Sequence, residues 1–433
     1  MRLINRRNAL VFAALLALLW GYFYRVPELL ALGSTFALLL LLSYMLVLLG
    51  QSRISARREL YPRAFEDQVI DVRIALENRF WFPFFLPRIL DYFPASASPK
   101  KTVILFPLLR WRSRIRTGYG GDCFGKRGLY SIGPLTLELP DPLGLFRVKK
   151  AVDQYSSLLV YPCTFEIAQI PESGRGNRYN IGHSARPRAG NGLDFFGTRE
   201  YRPGDSLRHI HWPSTARRGK LIIREFEETV ASNVAIFLDL NRYSLKGLGR
   251  QSTLEYAVKI AASLASYYAR SASQIQLFAY GKDFLHIPPA SGEEHLAAIL
   301  HALTFLKPNG EVPYEFLLRS GAEKLFPGST AVFIFSTVKV DLSEYIDILT
   351  LYRAKGITVL AVLIDDDTFL RIFREQEIRE REAPKIPDVV NALLAEGITV
   401  YTVACRDDLS RRFDLPFLPV SGRGIAASVY AKL

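Results

Sequence analysis

Cysteine is scarce in this chain: Cys123, Cys163 and Cys405 are the only three in 433 residues. Odd in number and far apart, they exclude a disulfide framework and a cysteine-clustered metal site, and they suit a reducing compartment. No glycine-rich phosphate loop is present, so the chain is expected to bind no ATP by itself and to need no cofactor. Acidic residues are outnumbered, 42 against 55 basic ones, for a formal charge of +13. Such an excess invites an anionic partner. Yet no lysine-rich tract or nucleic-acid motif accompanies it, and nucleic acid is not expected. Much of the excess gathers beside two uncharged apolar runs and in one arginine-rich segment.

Those runs, Leu10 to Tyr24 and Leu29 to Leu49, read as a transmembrane helical hairpin over residues 1–50, turned at Arg25-Val-Pro-Glu28. The second is long enough for a bilayer; the first is short and would lean on Trp20, Tyr22 and Tyr24 at an interface. A basic start resembles a signal peptide, but no small-residue cleavage site follows and a second run comes at once. Arg2, Arg6 and Arg7 precede the hairpin, Arg53, Arg57 and Arg58 follow it, and the turn holds only Arg25. The positive-inside tendency then places both ends in the cytoplasm. A multi-pass protein of the inner membrane, with its soluble domains facing the cytoplasm, is the expectation.

Residues 53–162 alternate apolar and polar side chains in short segments, as in Val69 to Leu76, with prolines and glycines between them. This predicts an immunoglobulin-like β-sandwich. Asp141-Pro-Leu-Gly-Leu-Phe146 reads as the turn that ends it. Pro171 to Asn191, rich in Gly, Arg, Asn and Ser, opens a signature and linker segment over 171–228 and predicts a mobile loop. From 229 to 433, apolar strands alternate with amphipathic helices: Asn233 to Asp239, then Thr253–Arg270, Ile275–Tyr280, Glu293–Phe305 and Tyr314–Phe326. The series continues with Thr330–Phe335, Ser343–Ala354, Ile357–Ile364, Pro387–Ala395 and Ile398–Val403. That order predicts an α/β fold with a parallel sheet covered on both faces. Ligands in such sheets bind at the carboxyl ends of strands, where Asp239 stands.

Between these domains, Asp194 to Lys220 crowds charge, rings and turn formers together. Arg199, Arg202, Arg208, Arg217 and Arg218 alternate with Glu200 and Asp205, beside Tyr201 and Trp212. Guanidiniums next to carboxylates and rings predict a built polar network. The candidate partner-binding or interdomain residues are Arg199, Glu200, Tyr201, Asp205, Arg208, His211, Trp212 and Arg217. Gly197-x-Arg-Glu-Tyr-x-Pro-Gly-Asp-x-x-Arg-x-Ile-His-Trp-x-x-Thr-Ala-Arg-x-Gly-Lys220, followed by Glu225-Phe-Glu227, resembles the signature of domain-of-unknown-function family 58. The resemblance implies a membrane-anchored prokaryotic protein with a von Willebrand factor type A-like domain. It also implies a protein partner, a MoxR-type AAA+ ATPase, in complex assembly or envelope maintenance. It supplies no biochemical activity, and with no complete catalytic constellation in the sequence a non-enzymatic scaffold or adaptor is the expectation.

Two metal readings compete with it. Domains of the implied type hold a divalent cation through Asp-x-Ser-x-Ser, a later Thr and a second Asp. Here the positions read Asp239-Leu-Asn241-Arg-Tyr243, and the strand ending at Phe335 runs into Ser336-Thr337, so the second Asp is missing. Asp239 and Asn241 form at most a degenerate site, and Asp239 is expected to cap a loop or pair with an arginine. Alternatively, Asp205, His209 and His211, with Asp194 nearby, suggest a metal-dependent hydrolase. A single His-x-His is weak support, and packing within the arginine-tryptophan network accounts for both imidazoles. Asp365-Asp-Asp367 reads as solvated loop acids, and Ser214, Thr215 and Cys405 have no base beside them in the sequence.

Overall fold

A computed structural model describes residues 6–152, 154–170, 189–202, 207, 210–227, 233–336, 342–371 and 386–414. Of the loop expected over 171–191, residues 171–188 lie outside them, as do Asp205, Arg208, His209 and Thr337, while 189–191 belong to a strand rather than a loop. The chain divides into two compact units, Met1–Cys163 and Thr164–Leu433.

The first unit begins with helices α1 (Arg6–Phe23) and α2 (Pro27–Ser52). Pro27 opens α2, where its missing N–H costs no intrahelical bond. Leu and Ala dominate both helices, and α2 is the one described helix long and apolar enough to cross a bilayer; α1 is shorter. Small residues let the pair close: a Cβ on Gly33 would stand 2.8 Å from Leu18 Cγ, and one on Gly21 2.7 Å from Leu30 N.

Twelve strands follow: β1 (Ile54–Glu59), β2 (Arg63–Phe65), β3 (Val69–Asn78), β4 (Phe84–Phe85), β5 (Arg88–Phe93) and β6 (Lys100–Leu105). The rest are β7 (Leu108–Leu109), β8 (Ser113–Asp122), β9 (Gly128–Ile132), β10 (Leu135–Pro140), β11 (Arg147–Val152) and β12 (Ser156–Tyr161). They form sheets ordered β1-β3-β8, β11-β10-β5-β6 and β2-β12-β9, with β4 paired to β7. Alternation aims Ile54, Ile74 and Leu76 of the first sheet and Ile89, Leu135 and Leu137 of the second into one core. Arg58 and Asp91 form a fully buried ion pair between β1 and β5. Arg58, counted as a flanking charge in the sequence, is a core residue here.

Helix α2 runs into that core. Ser43, Val47 and Gly50 are buried along one stripe, and Val47 belongs to the same core as Ile74, Leu76 and Leu137. A Cβ on Gly50 would stand 2.3 Å from Phe84 Cζ. Ser43 Oγ donates to Asp141 Oδ2 at 2.5 Å, and Tyr44 meets Phe146 at 5.2 Å between centroids. Lys150 Nζ donates to the carbonyls of Gln51 (2.7 Å) and Ile54 (3.0 Å), supplying partners at the helix end, where carbonyls lack intrahelical ones. The expected turn at 141–146 is thus also a dock for α2.

In the second unit, β13 (Ala189–Glu200) pairs antiparallel with β14 (Ile222–Glu227), and α3 (Trp212–Arg218) lies between them in sequence. Next come β15 (Asn233–Asp239), the short pair β16 (Gly247–Leu248) and β17 (Gln251–Ser252), and α4 (Thr253–Arg270). They lead to β18 (Gln274–Tyr280), β19 (Phe284–Ala290), α5 (Glu293–Phe305), α6 (Tyr314–Ala322) and β20 (Thr330–Ser336). The series continues with α7 (Leu342–Ala354), β21 (Thr358–Ile364), α8 (Asp366–Arg371), α9 (Ile386–Ala395), β22 (Thr399–Val403) and α10 (Leu409–Phe413).

Six strands form one sheet ordered β19-β18-β15-β20-β21-β22. Five run parallel, and β19 is antiparallel to β18, so the sheet is mixed rather than purely parallel. The chain doubles back at Gly281, whose N–H donates to Asp283 O. Pro288 and Pro289, which donate nothing to a ladder, are tolerated because β19 is an edge. Helices α6, α7 and α9 cover one face, where Phe237 stacks on Phe278 at 4.6 Å and meets Phe333 at 4.8 Å. Helix α4, against β15, β18, β20 and β21, packs with α5.

Candidate functional site

The carboxyl end of β15 is the first candidate. Asp239 leaves the sheet there and accepts from Asn241 N–H at 2.9 Å and from the Ser244 hydroxyl. Asn241 caps the following turn, accepting from Tyr243 N–H (2.9 Å), while its amide donates to Val312 O (3.2 Å). Thr253 Oγ1 donates to Ser244 O at 3.0 Å and accepts from Lys246 N–H at 3.1 Å. The loop from β15 is thereby fastened to the start of α4. Gly310 closes the other side: its N–H donates to Leu240 O, and a Cβ there would stand 2.7 Å from Tyr280 O.

Asp239, Asn241, Ser244, Thr253 and Ser336 line a cavity of about 20 Å³, room for one water molecule. The carboxylate keeps slight exposure through it but is otherwise enclosed, and burial pushes its pKa up to about 6. Tyr243, which stands where the implied cation site needs a hydroxyl, turns its ring outward under Arg242, 4.9 Å from the guanidinium. Ser244, one residue on, takes the contact with Asp239 instead. Arg242 pairs with Glu311 at 2.9 Å, so Asp239 caps its loop rather than meeting this arginine. No group of three His, Cys, Asp or Glu gathers for a metal among the described residues.

The other acids and thiols are structural in their geometry. Asp366 and Asp367 open α8, where carboxylates favour the helix dipole. Cys405 Sγ lies 3.3 Å from Gln251 Oε1, and burial holds its thiol above the ordinary range, so it is not an activated thiolate.

The signature residues gather around the β13–β14 ladder. Arg199 and Glu200 stand opposite Ile223 and Ile222, and Tyr201 N–H donates to Leu221 O at 2.9 Å. His211 sits at the N-cap of α3, with its N–H on Ile222 O at 2.8 Å and its Nδ1 2.7 Å from Ser214 Oγ. That ring is engaged with the helix start. Thr215 Oγ1 accepts from Ile222 N–H at 3.0 Å, tying α3 back to β14. Gly219 ends the helix at φ 67°, a left-handed cap that suits glycine.

Below this helix Ile210, Ile222 and Ile223 are buried, while α3 itself buries none of its residues. Trp212 is 66% exposed, and Arg217 and Arg218 are exposed at the helix end. Glu200 pairs with Lys220 at 3.3 Å, both largely exposed. The motif therefore has a backbone scaffold tied by main-chain bonds and an outer face of ring and guanidinium.

Residues 197–368 match the family described as protein of unknown function DUF58, a span that holds both the signature and the Asp239 site. A relative from Bacillus subtilis (strain 168), "Uncharacterized protein YeaD", is 24% identical over 242 residues, covering 54% of this chain and 57% of the relative. The match thus spans little more than half of that relative's length. Among solved structures, a superoxide reductase (neelaredoxin) from Ignicoccus hospitalis is 12% identical over 24% of this chain and 79% of its own, with a TM-score of 0.15. A β-glucosidase from Listeria innocua is 8% identical over 24% of this chain and 16% of its own, with a TM-score of 0.14. Scores this low carry no argument about fold or chemistry. The family match and the Bacillus relative together make residues 197–368 similar to the proteins of unknown function DUF58.

Proposed function

We propose that this chain is a membrane-anchored scaffold that binds a protein partner through the outer face of α3, without transforming it. The observation that carries this reading is Trp212, an exposed ring on a helix that buries nothing, followed within two turns by Arg217 and Arg218. Trp and Arg are the residue types that dominate binding hot spots. The mixed sheet is read as von Willebrand factor type A-like, its Asp239 loop closed on itself by Asn241, Ser244 and Thr253. The partner implied by the resemblance is a MoxR-type AAA+ ATPase. Helix α2 is read as an anchor rather than a cleaved signal, because Val47 belongs to a folded core that cleavage would open. With α1 it would form a hairpin that leaves the soluble units in the cytoplasm.

The test is binding of the detergent-solubilised full chain to a purified MoxR-type ATPase. Trp212→Ala is expected to weaken the Kd by about 30-fold and Arg217→Ala by about fivefold. Unchanged binding by both variants would remove α3 from the interface.

A further inference from the structure

Exposure around α2 differs sharply between its two sides. Leu42, Met45 and Leu49 stay exposed along one stripe, while Ser43, Val47 and Gly50 are buried in the β-region along another. The β-region therefore begins alongside a stretch of helix whose outer surface is still apolar. From Ser43 to Leu49 the helix rises about 9 Å, close to the depth of a headgroup layer.

At that level stands the loop from Asp141 to Phe146, held by Ser43 and Tyr44, with Leu143 exposed. Phe85, Leu86 and Leu143 line, with Arg88 and Arg147, a cavity of about 270 Å³. Phe85 and Leu86 are each about half exposed. The two carboxylates in the same wall are otherwise engaged. Glu138 pairs with Lys149 at 2.9 Å. Asp141 accepts from Ser43 and from the N–H groups of Leu143 (3.3 Å) and Phe146 (2.7 Å). Neither guanidinium makes an ion pair among the described residues.

The geometry points to a binding site for the phosphate headgroup of an acidic phospholipid, gripped by Arg88 and Arg147, with its chains against Phe85, Leu86 and Leu143. Guanidiniums match phosphate oxygens in forked pairs, and basic clusters beside a span attract anionic lipid. The site rests on the reading of α2 as a bilayer span.

The experiment places the full chain in nanodiscs of mixed phosphatidylcholine and phosphatidylglycerol and counts, by native mass spectrometry, the lipid retained on release. Wild type is expected to keep phosphatidylglycerol over phosphatidylcholine, insensitive to added inorganic phosphate. Arg88→Gln with Arg147→Gln is expected to lower that retention about tenfold. Arg147→Gln alone, on an exposed side chain that folding does not need, is expected to lower it severalfold. Equal retention of the two lipids by wild type, undiminished retention by the variants, or displacement by phosphate would overturn the headgroup site and leave the anchor standing. Failure of the chain to enter nanodiscs at all would instead overturn the span, and the site with it.

Discussion

Asp91→Ala is expected to cost the first unit about 3–5 kcal/mol of stability, because it strands a buried guanidinium. Arg58 and Asp91 are both fully excluded from solvent. Arg58 Nε donates to Asp91 Oδ2 at 2.9 Å, and Tyr119 Oη donates to the same oxygen at 2.7 Å. Arg58 Nη2 donates to Asp91 Oδ1, and Nη1 shares its protons among Ile132 O (3.0 Å), Gln154 O (3.3 Å) and Ser156 Oγ (3.2 Å). Loss of the carboxylate therefore leaves Nε and Nη2 of a buried guanidinium without their acceptor. Tyr119→Phe removes one bond and is expected to cost about 1 kcal/mol. Pulse proteolysis of the full chain in detergent, with cleavage mapped to the β-region, reads both. A loss under about 1 kcal/mol for Asp91→Ala would contradict the network's role.

The second large effect is on pH dependence at the end of β15. Enclosure raises the folded pKa of Asp239 to about 6, against an ordinary value of 3.8. A carboxyl raised on folding favours the folded state when protonated. That contribution is fully present below 3.8 and is lost as pH rises through about 6. Ionised Asp239 therefore costs the second unit up to about 3 kcal/mol at neutral pH. Asp239→Asn keeps an acceptor for Asn241 N–H and carries no charge. Calorimetric unfolding is expected to find the variant more stable than wild type above pH 6, by up to that amount, with the gap closing towards pH 3.8. A gap independent of pH would show that the carboxylate is as well solvated in the fold as out of it.

Parts of this architecture were legible because local signals and packing agree. Helix α5 spans Glu293–Phe305 as its periodicity predicts, and α4 starts at Thr253 behind Ser252, whose hydroxyl accepts from Glu255 N–H. Strand β19 was not legible: two prolines argue against a strand until its place on an edge is known. The helix expected to reach Phe326 ends at Ala322. The prolines and glycines between alternating segments did mark boundaries: Gly133 and Pro134 separate β9 from β10.

The site was harder to read for a different reason. Arg58 follows an apolar run and looks like a topology charge, but only its pairing with β5 through Asp91 reveals a core residue. Ser244 sits one position beyond the expected ligand spacing, and the turn at Arg242–Ser244 is what brings it to Asp239. Of the signature, the alternation of charge and ring suggested side-chain pairing, whereas the described ties run mainly through backbone groups and Thr215. Asp205, Arg208 and His209 fall outside the described residues.

Seating the last turns of α2 inside the β-region leaves no swivel at that joint. A hinge would need unpaired backbone between the two, and the helix is instead tied to the β-region by Lys150 at Gln51 and by Asp141 at Ser43. If α2 spans a bilayer as proposed, any tilt imposed on it by a thinner or thicker membrane would be handed on as rotation of the β-region, a lever whose angle would follow the thickness of the lipid around it.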